Sequence, residues 1–232
     1  MSQPEQTQAS PLRRAAGSLL QALLKGLIVL AFRPQKRFVS EKARAEAFAG
    51  PCVIVSNHVR GMDGAVIITL LRGQKITGLV AKDMIESSRA LKAFLSFLPT
   101  MPIDRENPSL SWLRDSRRIL KGGEDIYLCP EGKCSFDRVT KPYKSGCVLL
   151  AAMAGVPIVP IYHNGLYRFF IGRRWRMMIG EPITVTPPPE GLNEEELERE
   201  ADMIFRKTQE LERAMTGTVR TEADAAAESL RA

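Results

Sequence analysis

The sequence has few cysteines and arranges none of them for a bridge or a metal. Cys52, Cys129, Cys134 and Cys147 include no C-x-x-C pair and have no histidines at zinc-ligand spacing. That argues against a disulfide scaffold or a zinc site and for a reducing, cytosolic compartment. A long apolar run is also missing. The segment Leu19–Phe32 is 14 residues, interrupted by Gln21 and Lys25; at about 1.5 Å per residue such a helix falls well short of a roughly 30 Å hydrocarbon core. It is expected to lie on a membrane rather than cross it. No small-x-small cleavage site follows Phe32, because the chain runs directly into Arg33-Pro34-Gln35-Lys36-Arg37. This argues against a signal peptide, and against twin-arginine export despite the Arg13-Arg14 pair. No internal repeat is apparent.

What is present is ordinary globular material. The chain has 232 residues, 44% hydrophobic and 25% charged, enough for one domain with a substantial core. The net charge of +7 is unevenly spread: residues 1–37 carry six Lys/Arg against one Glu, and residues 190–232 carry six against twelve Asp/Glu. The middle of the chain is therefore strongly basic, which favours anionic partners: a membrane surface, nucleic acid, phosphorylated substrates or an acidic carrier protein. Three segments follow from this: residues 1–37, a disordered start plus an amphipathic membrane-association segment; 38–189, the folded domain; and 190–232, an acidic helix with a frayed tail.

Strand-like runs alternate with helical ones. Cys52–Val55, Ile76–Ala81, Met101–Ile103, Ile126–Cys129, Val156–Tyr162 and Trp175–Ile179 are expected strands, and Phe169–Ile171 a further one. Pro157 and Pro160 place the Val156–Tyr162 run at a sheet edge or in an irregular connection. Helices are expected at 41–48, 91–98, 109–121, 144–154 and 193–214, the last capped by Asn193. The fold class is α/β, a mixed central sheet flanked by helices with an N-terminal amphipathic membrane-surface helix; its last strands are candidates for antiparallel pairing. The rival for the N-terminal helix is packing on the protein's own core.

Polar groups collect where strands end. His58 follows the first strand, and a carboxylate at Asp63 could hold its imidazole while the ring takes a proton from a hydroxyl. Five residues is an awkward spacing on a helix, so the two meet only if the chain turns after His58; otherwise Asp63 is a plain helix cap. Asp104-Arg105 ends the Met101–Ile103 run, and Glu131-Gly132-Lys133 follows the Ile126–Cys129 run. If these strands share one sheet, the three sites converge on one crevice.

In this order the blocks resemble the glycerolipid acyltransferase family typified by 1-acylglycerol-3-phosphate acyltransferases. Asn57-His58 through Asp63 matches N-H-x-x-x-x-D, and Pro102-Ile103-Asp104-Arg105 matches an apolar pair followed by x-R. Cys129-Pro130-Glu131-Gly132-Lys133-Cys134-Ser135 resembles F-P-E-G-T-R-S, with K-x-G following as Lys144-Ser145-Gly146, and Val156 through Ile161 matches V-P-I-V-P-V. The resemblance implies transfer of a fatty acyl group from acyl-CoA or acyl carrier protein to a lysophospholipid hydroxyl, foremost that of 1-acylglycerol-3-phosphate. His58 and Asp63 would be catalytic, with direct attack on the thioester and no covalent acyl-enzyme. Arg105, Glu131, Gly132, Lys133 and Ser135 would bind the acceptor. No bound cofactor or metal is implied, nor nucleic acid. The partners implied are the acceptor lipid, the acyl donor and an anionic membrane surface, which would place the protein on the cytoplasmic face as a peripheral or monotopic enzyme.

Lys133 and Cys134 depart from the family's threonine and arginine, which leaves other lysolipid acceptors open. Lys133 is alternatively a solvated loop charge. Cys134 is alternatively an acyl-accepting nucleophile paired with His58, while His163 is expected to be a satisfied structural histidine. Acyl-thioester hydrolysis and a noncatalytic basic module binding membrane or nucleic acid are the rival functions. Basic residues interleave with aromatics from Tyr167 to Met178, a pattern that suits nucleic-acid binding but equally suits strands with one polar face.

Overall fold

In a computed structural model, the residues described are 22–23, 26–71, 75–87, 89, 92, 95, 98–104, 110–167, 174–185 and 193–229. Arg105, the Phe169–Ile171 run and most of the 91–98 run lie outside them.

Seven strands form one sheet: β1 (Gln35–Phe38), β2 (Val53–Ser56), β3 (Ile76–Ala81), β4 (Thr100–Ile103), β5 (Asp125–Leu128), β6 (Ile158–His163) and β7 (Arg176–Ile179). Their spatial order is β1-β7-β6-β2-β5-β3-β4. All neighbours are parallel except β6 and β7, so the sheet is mixed, as the sequence suggests. The helices are α1 (helical at 26–32), α2 (Glu41–Glu46), α3 (Asp63–Leu70), α4 (Lys82–Glu86), α5 (Ser111–Lys121), α6 (Gly146–Ala154), α7 (Glu194–Thr216) and α8 (Glu222–Ser229).

Side-chain alternation along the central strands separates two apolar layers. Ile54, Val159 and Ile161 face one layer with Val66 and Ile67 of α3 and Ile28, Ala31 and Phe32 of α1. Val53, Val55, Ile126 and Ile158 face the other, filled by Leu113 and Leu120 of α5, Val148 and Leu150 of α6, and Ala201 and Ile204 of α7. Each fully buried aliphatic side chain contributes roughly 1.5–3 kcal/mol. The buried runs VIVS and IVPIYH are apolar on both faces because helices cover both faces of the sheet.

Pro160 stands inside the sheet, in a fully buried β6 between β7 and β2, and not at an edge. Its nitrogen faces the stretch between Ile179 and Ile183, where the β6–β7 ladder is interrupted, so no ladder donor is lost. Gly180 donates its amide to the Pro160 carbonyl at 2.8 Å, and a Cβ there would come within 2.8 Å of Pro160 Cγ. The strand tolerates proline because its neighbour is glycine.

Two further differences concern charge. The basic stretch after Phe32, which the sequence assigns to the 1–37 membrane-association segment, forms β1 and pairs with β7. The expected frayed tail instead forms α8, tied down by Arg138–Glu228, Lys141–Glu222 and Arg220–Glu228 ion pairs. Around α1 the burial is two-sided: Ile28, Ala31 and Phe32 are buried, while Leu23, Leu27 and Leu30 are exposed. Among the described residues no helix is long and apolar enough to cross a membrane.

Candidate active site

The parallel strands β2, β5 and β6 are adjacent and end on the same edge of the sheet. The chain leaves β2 toward β3 on one side and β6 toward β7 on the other, which makes the β2/β6 boundary the switch point where open α/β sheets hold ligands. His58 lies just beyond the end of β2 there. Asn57 locks the two strand ends together. Its side chain donates to the His163 carbonyl and accepts from the His163 amide, both at 2.9 Å.

After His58 the chain turns through Val59–Met62, and Asp63 becomes the first residue of α3. This brings Asp63 Oδ2 to 2.9 Å from His58 Nδ1. The same oxygen accepts the amides of Val59 (2.6 Å) and Arg60 (2.8 Å), and Tyr167 donates its hydroxyl to Oδ1. Asp63 thus braces the Val59–Met62 turn and faces the imidazole at once; it is not a plain helix cap, because the cap position of α3 is Met62, with no side-chain cap bond, and the amides that Asp63 accepts precede the helix.

Asp63 is fully buried. Burial disfavours its charge, yet its pKa is lowered, because charge and hydrogen bonds from His163, His58, Tyr167 and Arg60 favour the carboxylate. Burial pushes the His163 pKa down in turn. For His58, burial works against the imidazolium, but the Cys129 sulfur and hydrogen bonds to Asp63, Cys129 and Cys134 outweigh it and raise the pKa.

The loop after β5 folds over this dyad. Glu131 accepts the His58 amide on Oε1 (2.9 Å) and the Ser135 hydroxyl on Oε2 (2.5 Å), and the Ser135 amide donates to the His58 carbonyl at 2.6 Å. Both carboxylate oxygens of Glu131 thus serve the protein's own groups. Its burial pushes its pKa up to about 7, against the pull of these hydrogen bonds. Gly132 adopts φ +75°, a conformation that side chains disfavour, with Lys144 packed against it. Arg60 lies over the Phe136 ring at 4.9 Å, a further link between the two loops.

Lys133 is exposed on an open cleft of about 480 Å³, which Glu131, Cys134, Phe136 and Lys141 also line. Cys134 Sγ is 3.2 Å from His58 Nε2. The predicted residues His58, Asp63, Glu131, Gly132, Lys133 and Ser135 are thus gathered at one place. β4 is not adjacent to β2: three strand spacings of about 4.8 Å put its end roughly 14 Å along the edge from β2.

Sequence reasoning missed Tyr167, which meets Asp63 across 104 residues and carries no local signal. It also left Asn57 without a role beyond its place in the motif. His163 is a structural histidine satisfied only in part. Its Nε2 lies 2.9 Å from the Asn57 carbonyl and its ring stacks on Trp175, while Nδ1 has no hydrogen-bond partner among the described residues.

A family model described as Acyltransferase matches residues 36–164, more than half the chain and all of this constellation up to Asn164. The chain belongs to the acyltransferase family. Among proteins similar to it, the 1-acyl-sn-glycerol-3-phosphate acyltransferase of Bacillus subtilis (strain 168) is 31% identical over 107 residues, 45% of this chain and 53% of that protein. The 1-acyl-sn-glycerol-3-phosphate acyltransferase alpha of Homo sapiens is 26% identical over 158 residues, 66% of this chain and 56% of that protein. This acyltransferase-family chain spans about half the length of these two curated relatives. The crystal structure of the 1-acyl-sn-glycerophosphate (LPA) acyltransferase PlsC from Thermotoga maritima shares the fold, with TM-score 0.59 and 18% identity over 88% of this chain and 81% of that one.

Proposed function

We propose that the protein transfers a fatty acyl group from an acyl thioester, acyl-CoA or acyl carrier protein, to the hydroxyl of a lysophospholipid, foremost 1-acylglycerol-3-phosphate. The observation that carries this reading is the His58–Asp63 pair, 2.9 Å apart, in the matched region of an acyltransferase-family chain. Nε2 takes the hydroxyl proton as the oxygen adds to the acyl carbonyl. Asp63 holds the ring and stabilises the imidazolium, an arrangement worth on the order of 10²–10⁴ in rate. Relatives named for 1-acyl-sn-glycerol-3-phosphate support the acceptor.

In this scheme Glu131 and Ser135 hold the His58 loop from beneath the cleft, and Gly132 lets the chain turn close to it. Lys133 meets the acceptor's phosphate as a point charge, and Arg105 is the second phosphate contact from the β4 end. No resident cofactor takes part, since the thioester is itself a substrate. The protein works as a peripheral enzyme at the cytoplasmic face of a membrane. The exposed Leu23, Leu27 and Leu30 face lipid beside the basic β1 stretch, while the opposite side of α1 packs on the core.

The test is acyl transfer over a panel of lysolipids, with both CoA and carrier-protein donors and mass analysis of the product. Acylation of 1-acylglycerol-3-phosphate above the other acceptors is expected. Thioester hydrolysis that is indifferent to any lysolipid overturns the reading.

A further inference from the structure

We propose that Arg138, Lys141 and Arg220 form a docking surface for an acidic helix of a protein that carries the acyl thioester, and that α8 covers this surface in the chain alone. The cargo of that partner rests on the acyl-transfer reading above. Three observations carry the surface and its cover.

The first is how α8 is held. Glu222 in its first turn pairs with Lys141 at 2.9 Å, and Glu228 near its end pairs with both Arg138 (2.5 Å) and Arg220 (2.6 Å). Among the described side chains of α8, Ala225 alone is half-buried and the others are exposed. The helix EADAAAES therefore lacks an apolar anchor. Eight residues are too few to keep a helix in place by themselves, and exposed ion pairs contribute little and are screened by salt. Charge attaches α8, and competing charge can detach it.

The second is what remains when α8 leaves. Arg220 donates its amide to Glu212 Oε1 at 3.0 Å and its Nε to the Asp137 carbonyl at 2.7 Å. Glu212 is buried and also accepts the Tyr162 hydroxyl at 3.0 Å, so the chain up to Arg220 is fastened to the domain. The helix beyond it is a separate unit, started by Thr221 and Asp224, which exchange hydrogen bonds. Arg220 stays beside Arg138 when α8 swings away. Two guanidiniums then lose their carboxylate, and the Lys141 ammonium keeps only Asp137, at 3.1 Å.

The third is place. Asp137 and Lys141 line the same open cleft as Glu131, Lys133 and Cys134. The turn that leads to Arg138 begins at Ser135, whose carbonyl accepts the Arg138 amide at 2.8 Å and whose own amide bonds the His58 carbonyl. A protein docked on this surface sits at the rim of the cleft that leads to His58, where a thioester arm can enter.

α8 also shows the shape of the occupant: the three cations are matched to carboxylates from the first and last turns of one short helix. An acidic helix of an acyl carrier protein reproduces that pattern, whereas coenzyme A offers clustered phosphates and no helix. As a tethered competitor, α8 raises the apparent Kd of such a partner without touching the chemistry.

The experiment compares the full chain with Glu222→Gln/Glu228→Gln. It measures palmitoyl transfer to 1-acylglycerol-3-phosphate from palmitoyl-acyl carrier protein and from palmitoyl-CoA, and binding of the unacylated carrier protein by calorimetry. The double variant should lower KM for the carrier donor and Kd for the carrier roughly threefold to tenfold, with KM for palmitoyl-CoA unchanged. Adding Arg138→Gln to it should raise both carrier constants again by a similar factor. Circular dichroism checks each fold; if the triple variant fails to fold, the double variant decides the matter. Equal shifts for both donors, or no shift for either, overturn the proposal. Transfer from palmitoyl-CoA with no carrier bound by either protein also overturns the docking surface and leaves the acyl-transfer reading intact. Carrier bound more tightly by the double variant, with no lysolipid acylated from either donor, sinks the acyl-transfer reading and supports the surface.

Discussion

Tyr167 donates its hydroxyl to Asp63 Oδ1, the carboxylate oxygen that His58 does not use. Asp63 is thereby bonded on both sides, and its orientation toward the imidazole depends on a residue from beyond β6. Tyr167→Phe removes that donor and keeps the ring against Phe32, 5.3 Å away between centroids. A hydrogen bond to a charged group is worth about 1.5–3 kcal/mol. We expect kcat to fall roughly tenfold to a hundredfold with KM for the thioester little changed. Steady-state kinetics of the variant check this, and an unchanged kcat removes Tyr167 from the positioning of Asp63.

Glu131 makes stability depend on pH. Its pKa in the folded chain is pushed up to about 7 from 4.5, so the folded state holds this proton more tightly than the unfolded chain does. The favourable contribution is complete below pH 4.5 and is lost as pH rises through about 7, a change on the order of 3 kcal/mol. Glu131→Gln keeps an acceptor for the His58 amide and does not titrate. Relative to the unaltered chain it should therefore gain stability between pH 4.5 and 7. Urea unfolding of both proteins across that range measures the difference, and a constant difference contradicts the expectation.

Gly165 has φ +60°, and a Cβ there would lie 2.7 Å from both methyl carbons of buried Val59. Gly165→Ala combines left-handed strain of about 1–2 kcal/mol with overpacking of about 1–3 kcal/mol. It also pushes on Val59, whose amide holds Asp63. Gly123→Ala, at φ +86° with nothing within 4 Å, carries the strain alone. Unfolding free energies should separate the two by at least about 1 kcal/mol, with activity lost only in the Gly165 variant. Equal effects would dismiss the packing argument.

Leu27 and Leu30 on α1 and Leu23 in the helical residues before it are each about 60% exposed, at 60%, 63% and 63%. Replacing all three by serine leaves the buried side of the helix untouched and should lower binding to anionic vesicles in a sedimentation assay. Unaltered vesicle binding would mean that another surface meets the membrane.

Much of the fold was legible where burial writes a pattern. The apolar runs of β2, β5 and β6 and the capping box of α7, in which Asn193 and Glu196 exchange backbone and side-chain hydrogen bonds, are local signals. β1 was not legible, because Gln35–Phe38 is an edge strand whose middle side chains are solvated. α8 was hidden for a different reason: distant ion pairs to Arg138 and Lys141 hold it down, not an apolar face. In the site, His58 and Asp63 belong to one motif and could be read together. Tyr167 lies far away in sequence, and the contact between Cys134 and His58 depends on the fold of two loops.

The central claim is that the His58–Asp63 pair drives acyl transfer. Its most direct test is the rate of transfer from palmitoyl-CoA to 1-acylglycerol-3-phosphate by His58→Ala, beside the unaltered protein and with folding checked by circular dichroism. The account predicts a native spectrum and a rate at least about 10²-fold lower. A natively folded His58→Ala protein that transfers the acyl group at the unaltered rate would contradict it.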